Sequence, residues 1–254
     1  MIKILTKLLI SRRQIMSLVV LLFYWPAIFV LTHIFVPASL LRQMQASDKS
    51  LHFLVYFILI TLLWFSVSSA QKVNFRGKKI WIVLFLLVFY AGADEWLQGF
   101  SAGRNRDIMD FVANLTGLFG GLVLVSLFSF RPAVLAATAI AIVIFTSAIR
   151  IQFTGQLAFV RPLFLLSSFA FFTFTWNRFL SLFSSIRPLC SKWYFFSPAA
   201  PVGLMLAVKL LSRFAGRSFE LTDIILSSAA IFAVVAIMYL IAILKSLHSR
   251  LNKV

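Results

Sequence analysis

The chain alternates between long apolar runs and short polar segments, with eight apolar runs in all. They lie near residues 15–36, 51–69, 80–99, 111–130, 132–149, 159–177, 195–211 and 222–244. Each run approaches the ~20 residues that a helix needs to cross ~30 Å of hydrocarbon. Membrane strands would instead show short alternating segments, because only a closed barrel satisfies their backbone groups in lipid. The pattern therefore predicts an all-α, polytopic membrane helical bundle with about eight transmembrane helices.

Composition agrees with a chain that lies mostly in lipid. Of its 254 residues, 61% are hydrophobic and 12% are charged, and the mean hydropathy is +0.99. A soluble domain of this length could not bury so much apolar surface. The single cysteine, Cys190, excludes an internal disulfide and a cysteine-based metal cage. The run at 15–36 is too long for the apolar core of a signal peptide and lacks a small-residue cleavage pattern, so we expect a retained first span.

The distribution of charge predicts an orientation in the membrane. The net charge of +17 would suit nucleic acid or anionic lipid, but in so apolar a chain it favours basic loops that orient helices, and no nucleic-acid partner is expected. With a cytoplasmic N-terminus, fifteen lysines and arginines fall in inner segments and nine in outer ones, which accounts for all 24. This bias places both termini in the cytoplasm. All seven acidic residues then fall on the outer side, and since acids contribute little to orientation, their clustering needs another cause.

A short sequence pattern recurs at an offset of 113 residues. Ala102-Gly103-Arg104 with Asp110-Phe111-Val112 corresponds to Ala215-Gly216-Arg217 with Asp223-Ile224-Ile225. Parallel duplication of a four-helix unit explains this match, and so does chance similarity between two loop–helix junctions. We therefore divide the chain into a four-helix domain over 10–130 and a second four-helix region over 131–254, a degenerate repeat if the duplication is real. Duplication would place Arg104 near Asp110 and Arg217 near Asp223, and the second copy would have lost most of its polar residues.

Polar side chains form a helical stripe at the outer end of three spans. The stripes are Asp48, His52 and Tyr56 in the second span; Tyr90, Asp94 and Gln98, with Glu95 beside them, in the third; and Asp110, Asn114, Gly117 and Gly121 in the fourth. The second and fourth spans begin outside and the third ends there, so the stripes share one membrane depth. An ionisable residue at mid-bilayer costs about 2.5–3.5 kcal/mol on insertion scales, and its presence marks a functional site by default. Arg104 is the predicted partner of the adjacent acids Asp94 and Glu95.

Each of these residues also has a purely structural interpretation. Asp48 and Asp110 stand near helix N-termini and could cap free N–H groups. His52 could be a structural hydrogen-bonding residue, and Asn114 could simply bridge two helices. Their combination on one face and at one depth nevertheless favours an intramembrane polar site.

The order and spacing of these residues resemble the signature of the VanZ-like family. The matching segments are Asp48-Lys49, His52-Phe53 and Tyr56 (D-K-x-x-H-F-x-x-Y), then Asp94-Glu95 and Gln98 (D-E-x-x-Q), then Gly103-Arg104, Asp110, Asn114 and Gly117. The resemblance covers roughly residues 10–130 and leaves the C-terminal half without a strong motif. It implies a cell-envelope protein of a bacterial inner membrane, in a family named after low-level resistance to the glycopeptide teicoplanin. Related membrane proteins have been suggested to act on lipid head groups or lipid-linked envelope precursors.

The leading hypothesis is a protein that binds or modifies the polar head of a lipid or lipid-linked saccharide at the outer leaflet. In its enzymatic form, His52 and Glu95 are acid/base candidates, Asp48 orients His52, and the substrate-binding residues are Arg104, Asp94, Gln98, Asp110 and Asn114. The expected partners are membrane lipids or a lipid-linked envelope precursor. No cofactor is specified, and a divalent metal on Asp48, His52, Glu95 and Asp110 is an open alternative.

Two other classes of function compete with this hypothesis. The first is a non-catalytic membrane scaffold or partner protein for envelope or exopolysaccharide assembly. The second is a transporter, which is disfavoured because the ionisable residues stay at one face and form no chain across the midplane.

Overall fold

The computed structural model describes residues 11–33, 48–68, 71–101, 106–147, 159–184, 186–216 and 219–252. Within these ranges the chain forms eight helices and no strands. They are α1 (Arg12–His33), α2 (Asp48–Val67), α3 (Lys78–Gln98), α4 (Ile108–Leu127), α5 (Phe130–Ser147), α6 (Val160–Phe183), α7 (Ser191–Phe214) and α8 (Leu221–Leu251). All eight are long and apolar enough to cross a membrane. The prediction of an all-α, multi-pass membrane protein is confirmed.

Most helices begin a few residues before the apolar runs that predicted them. Helix α2 begins at Asp48 and α3 at Lys78, so each first turn is polar. A carboxylate in the first turn faces free N–H groups, and a lysine stem covers apolar surface while its ammonium group reaches water. At the other end of the chain, α8 continues to Leu251 with His248 and Arg250 in its last turn, where positive charge suits the helix dipole. Apolar runs therefore locate the spans but place most helix starts a few residues too late.

The structure divides into two compact units whose boundary lies between Ala133 and Val134. In the first unit, α2 packs against α1, α3 and α4, and its most extensive partner is α4. A buried core that includes Tyr56, Ile60 and Leu87 lies between these helices. In the second unit, α8 packs against α6 and α7 around a separate apolar core.

Two glycines let α4 approach α2 closely. A Cβ on Gly121 would come within 2.7 Å of the Phe57 carbonyl oxygen, and one on Gly117 would overlap the carbonyl group of Phe53. Small residues at such contacts are the usual means by which membrane helices pack tightly. Gly117 and Gly121 thus set the distance between α2 and α4, the two helices that carry most of the polar residues.

We predict that Gly117→Ala destabilises the protein by about 1–3 kcal/mol, since the obstacle is backbone and the helices must separate. Thermal unfolding of purified protein in detergent measures the change. Gly203→Ala is the matched control, because a Cβ at that position meets nothing within 4 Å. Equal stability of the two variants would contradict the close α2–α4 contact.

The helices of the two units follow the same spacing along the chain. Helix α6 begins 112 residues after α2 (48 to 160), and α7 and α8 begin 113 residues after α3 and α4 (78 to 191 and 108 to 221). In each unit, a cation in the first turn of one helix pairs with an acid in the first turn of another: Lys49 with Asp110 at 2.8 Å, and Arg161 with Asp223 at 2.5 Å. Arg104 and Arg217, the cations predicted for these acids, lie outside the described residues. Duplication stays a prediction, and the shared spacing supports it.

Candidate functional site

Three helix ends meet in the first unit and bring together the polar residues of the predicted site. The start of α2, the end of α3 and the start of α4 contribute them, because a chain that crosses the bundle three times returns alternate helix ends to the same side. We call Asp48, His52, Glu95, Asp110 and Asn114 the helix-end cluster. All of them except the partly exposed Asp48 are buried. Such a set of ionisable groups is costly to bury and requires compensating contacts.

His52 lies at the centre of the helix-end cluster. Its Nδ1 is 2.9 Å from Asn114 Oδ1 and 3.8 Å from Glu95 Oε1. An amide oxygen only accepts hydrogen bonds, so Nδ1 carries the proton that His52 donates to Asn114. The amide nitrogen of Asn114 is 3.5 Å from Glu95 Oε1, which links all three side chains. The hydrogen bond to Asn114 therefore leaves Nε2 as the ring nitrogen of His52 that can interact with another group.

The other ring nitrogen of His52 faces two carboxylates. Its Nε2 is 3.7 Å from Asp48 Oδ1, one helical turn earlier on α2, and 3.9 Å from Asp110 Oδ2 on α4. Both distances exceed those of a hydrogen bond. His52 Nε2 is therefore held beside Asp48 and Asp110 without a hydrogen bond to either.

Asp94 belongs to a neighbouring group of side chains rather than to the helix-end cluster. Its Oδ2 accepts a hydrogen bond from Gln98 Nε2 at 3.0 Å and a longer one from the Tyr56 hydroxyl at 3.4 Å. His33, at the end of α1, places its Nδ1 3.9 Å from Asp94 Oδ1. The adjacent acids Asp94 and Glu95 thus have different partners. His33 was not predicted as part of a site, because nothing in the sequence links the end of α1 to α3.

Lys49 forms ion pairs with two acids near the start of α4. Its Nζ is 2.7 Å from Asp107 Oδ2 and 2.8 Å from Asp110 Oδ1, which ties α2 to the start of α4. The predicted cation, Arg104, lies outside the described residues. Lys49 follows Asp48 in the D-K-x-x-H-F-x-x-Y pattern, and this was the available sequence signal that Lys49 belongs to the site. Lys49 is half exposed whereas Asp110 is buried, so the pair lies at the edge of the bundle.

Asp107, rather than Asp110, caps α4. Its side chain accepts a hydrogen bond from the Met109 N–H at 2.8 Å. The hydrogen bond from Lys49 and the one from this backbone N–H lower the pKa of Asp107, so it stays ionised at neutral pH. The alternative that Asp110 merely caps the helix is therefore wrong. Asp110 instead faces the cluster, and Asp107 is a residue that the sequence analysis missed.

Three carboxylates surround one histidine in the part of the chain that the structure describes. Asp48, Glu95 and Asp110 lie around His52, and Lys49 pairs with Asp110. Among the described residues, Glu95 Oε2 is buried and has no hydrogen-bond partner. A buried carboxylate oxygen of this kind is rare in proteins and marks a place where a ligand or ion could bind.

Of the eight predicted site residues, the structure brings five into the helix-end cluster, and Asp94 and Gln98 into the adjacent group around Tyr56. Arg104 is the remaining one. Comparison of the chain with family models, curated proteins and solved structures found no match. The fold and the site define a multi-pass helical membrane protein with buried ionisable groups at one end of its first four helices.

Proposed function

We propose that this protein is a VanZ-like cell-envelope protein that binds or modifies the polar head of a lipid or lipid-linked saccharide. The observation that supports this proposal is the arrangement around the buried His52, which is hydrogen-bonded to Asn114 through one ring nitrogen and lies beside Asp48 and Asp110 with the other. Ionisable groups are retained in a membrane bundle where they take part in function. Their position at helix ends puts them near the depth of lipid head groups rather than at the midplane.

The arrangement suits acid–base chemistry on a hydroxyl-rich head group. His52 Nε2 is available as a base once Nδ1 donates to Asn114, and Glu95 is held beside the same ring. Asp48 is the most exposed member of the cluster, with 31% of its side chain accessible, and would meet an entering group first. Carboxylate and amide oxygens accept hydrogen bonds from sugar or glycerol hydroxyls.

The proposal includes an orientation in the bacterial inner membrane, with the cluster at the outer leaflet and both termini in the cytoplasm. Cysteine labelling on intact cells tests it. In a Cys190→Ser background, Ser101→Cys should react with a membrane-impermeant maleimide, because the α3–α4 connection is then external. A cysteine in place of Arg76 should react only after lysis. Reversed labelling would put the cluster at the inner leaflet.

Lipid retention is the direct test of the binding function. We expect native mass spectrometry of the purified protein, after incubation with a bacterial lipid extract, to show a lipid or lipid-linked saccharide retained at one copy per chain. Asn114→Ala should reduce retention at least tenfold, because it removes the partner that fixes the His52 ring. Asp223→Asn, at the corresponding position in the second unit, should retain the species as the wild type does. Equal retention by all three proteins would exclude the cluster as the binding site.

A second candidate function is that of a non-catalytic scaffold. The observation that favours it is the pair of ion pairs from Lys49 to Asp107 and Asp110, which join α2 to the start of α4 without any substrate. In that case the polar groups lock the bundle and present a surface to envelope-assembly proteins. The two functions differ in their response to loss of the Glu95 charge.

A further inference from the structure

We infer that Asp48, His52 and Asp110 form a binding site for one divalent transition-metal ion, with Glu95 as an adjoining carboxylate. One imidazole nitrogen and several carboxylate oxygens are a donor set that suits Zn²⁺ or Mn²⁺. The role of the ion rests on the proposed function: it would supply the positive charge to which a phosphate or hydroxyl of the lipid head binds. The site itself is inferred from the spacing of the three side chains, the orientation of the His52 ring and the buried Glu95 carboxylate.

The geometry fits an ion between the three side chains. One potential ligand atom from each residue lies within 4.8 Å of the other two. His52 Nε2 is separated from Asp48 Oδ1 by 3.7 Å and from Asp110 Oδ2 by 3.9 Å. Ligand atoms about 2.0–2.2 Å from a common metal are separated by roughly 3–4 Å, whereas a hydrogen bond would draw them closer. The two His52 separations lie at the upper end of that range, and Asp48 and Asp110 lie within 4.8 Å of each other.

The orientation of the His52 ring points the same way. Its Nδ1–H donates to Asn114 Oδ1, and Nε2 faces Asp48 and Asp110. Metal-binding histidines commonly donate their second ring N–H to an oxygen acceptor, which orients the ring and raises its basicity. Asn114, which is fully buried, occupies that supporting position.

Glu95 supplies an independent observation. It lies 3.8 Å from the His52 ring, and its Oε2 is buried without a hydrogen-bond partner in the described part of the chain. Removing a carboxylate from water without a counter-charge is strongly unfavourable. A divalent cation beside His52 would offset the charge of Glu95. Lys49 does not, because its ion pairs are with Asp107 and Asp110.

The second unit can be compared with the first at the positions of the proposed metal ligands. At the offset of 113, Arg161 stands in place of Asp48 and Leu165 in place of His52. The remaining acid, Asp223, is held by Arg161 through contacts of 3.1 and 2.5 Å. The second unit therefore lacks the histidine and the second acid of the site, and its remaining acid is paired with Arg161. The second unit is expected to bind no ion at this position.

Metal binding by the full chain tests the inference. Purified protein in detergent is stripped with a chelator, dialysed against ZnCl₂ or MnCl₂, and analysed by inductively coupled plasma mass spectrometry. We expect one ion per wild-type chain. Asp110→Asn and His52→Gln should each weaken binding at least 100-fold, and Asn114→Ala about 10–100-fold, as for loss of a residue that orients a metal ligand. Asp223→Asn is the matched control and should bind as the wild type does.

The outcomes separate this inference from the proposed function. Size-exclusion elution identifies variants that fail to fold, and Asp48→Asn, at the partly exposed ligand, serves as a variant that is expected to fold and to lose the ion. Equal stoichiometry in wild type and in every folded cluster variant would place the ion elsewhere and overturn the inference. Lipid retained by a protein that binds no metal would also overturn it while leaving the proposed function intact. Metal bound at the cluster without any retained lipid would support the site and remove the proposed function.

Discussion

Replacing Lys49 by methionine is expected to lower the stability of the protein by about 3 kcal/mol, the largest effect on stability of any substitution at the cluster. The change leaves Asp110 as a buried carboxylate without its cation, and it also removes the tie to Asp107 at the cap of α4. The value is at the lower end of the range for breaking a buried ion pair, since Lys49 is half exposed and water screens part of the interaction.

Unfolding in detergent, followed by circular dichroism, measures this loss. The double variant Lys49→Met/Asp110→Asn is the informative control, because it removes the unpaired charge and should recover most of the stability. Arg161→Met removes the corresponding pair in the second unit and should cost a similar amount. If Lys49→Met unfolds at the wild-type temperature, the ion pair does not hold α2 to α4.

Glu95→Gln is expected to have the largest effect on activity. If Glu95 transfers a proton during modification of the bound head group, loss of its ionisation should slow conversion about 10²–10⁴-fold. The amide is nearly isosteric with the acid and can still contact Asn114, so folding should be preserved. Mass spectrometry of the retained species over time measures conversion, with membrane abundance measured in parallel.

The same substitution distinguishes the enzyme from the scaffold. A structural Glu95 tolerates the neutral isostere, whereas an acid–base residue does not. Asp223→Asn, which removes a carboxylate in the second unit, should leave conversion unchanged. Normal conversion by Glu95→Gln at normal abundance would assign Glu95 a structural role and favour the scaffold.

The helices and their polar stripes follow from sequence because both depend on short-range periodicity. Apolar runs of sufficient length specify spans, and a spacing of four residues aligns Asp48 with His52 and Asp110 with Asn114 on one helical face. Gly117 belongs to the same stripe, and the absence of a Cβ there lets α4 lie against the Phe53 carbonyl of α2. Topology then placed three helix ends on one side of the bundle.

The partners of each side chain could not be predicted, because they depend on helix rotation and on contacts between distant segments. Asp94 and Glu95 are adjacent in sequence but lie about 100° apart around α3, so one meets Gln98 and Tyr56 while the other meets Asn114 and the ring of His52. For the same reason the sequence could not show that Lys49 reaches α4.

Helix boundaries were a further source of error. The apolar run suggested that α4 begins near residue 111, which made Asp110 the natural cap. The helix begins at Ile108, so Asp107 becomes the cap and Asp110 moves one turn inward to face His52. A shift of three residues therefore changes an acid from a structural cap into a member of the cluster.

Site-directed photo-crosslinking in living cells tests most directly whether the cluster of the first unit receives the polar head of a lipid. A photoreactive phenylalanine analogue is introduced at the exposed position Met109, next to Asp110, and separately at Thr222, the exposed position that corresponds to it in the second unit. Mass spectrometry of the adducts should show a specific lipid or lipid-linked saccharide at position 109 and only bulk membrane lipid at position 222. The same bulk lipids at both positions would contradict the proposal that the first unit contains a head-group site.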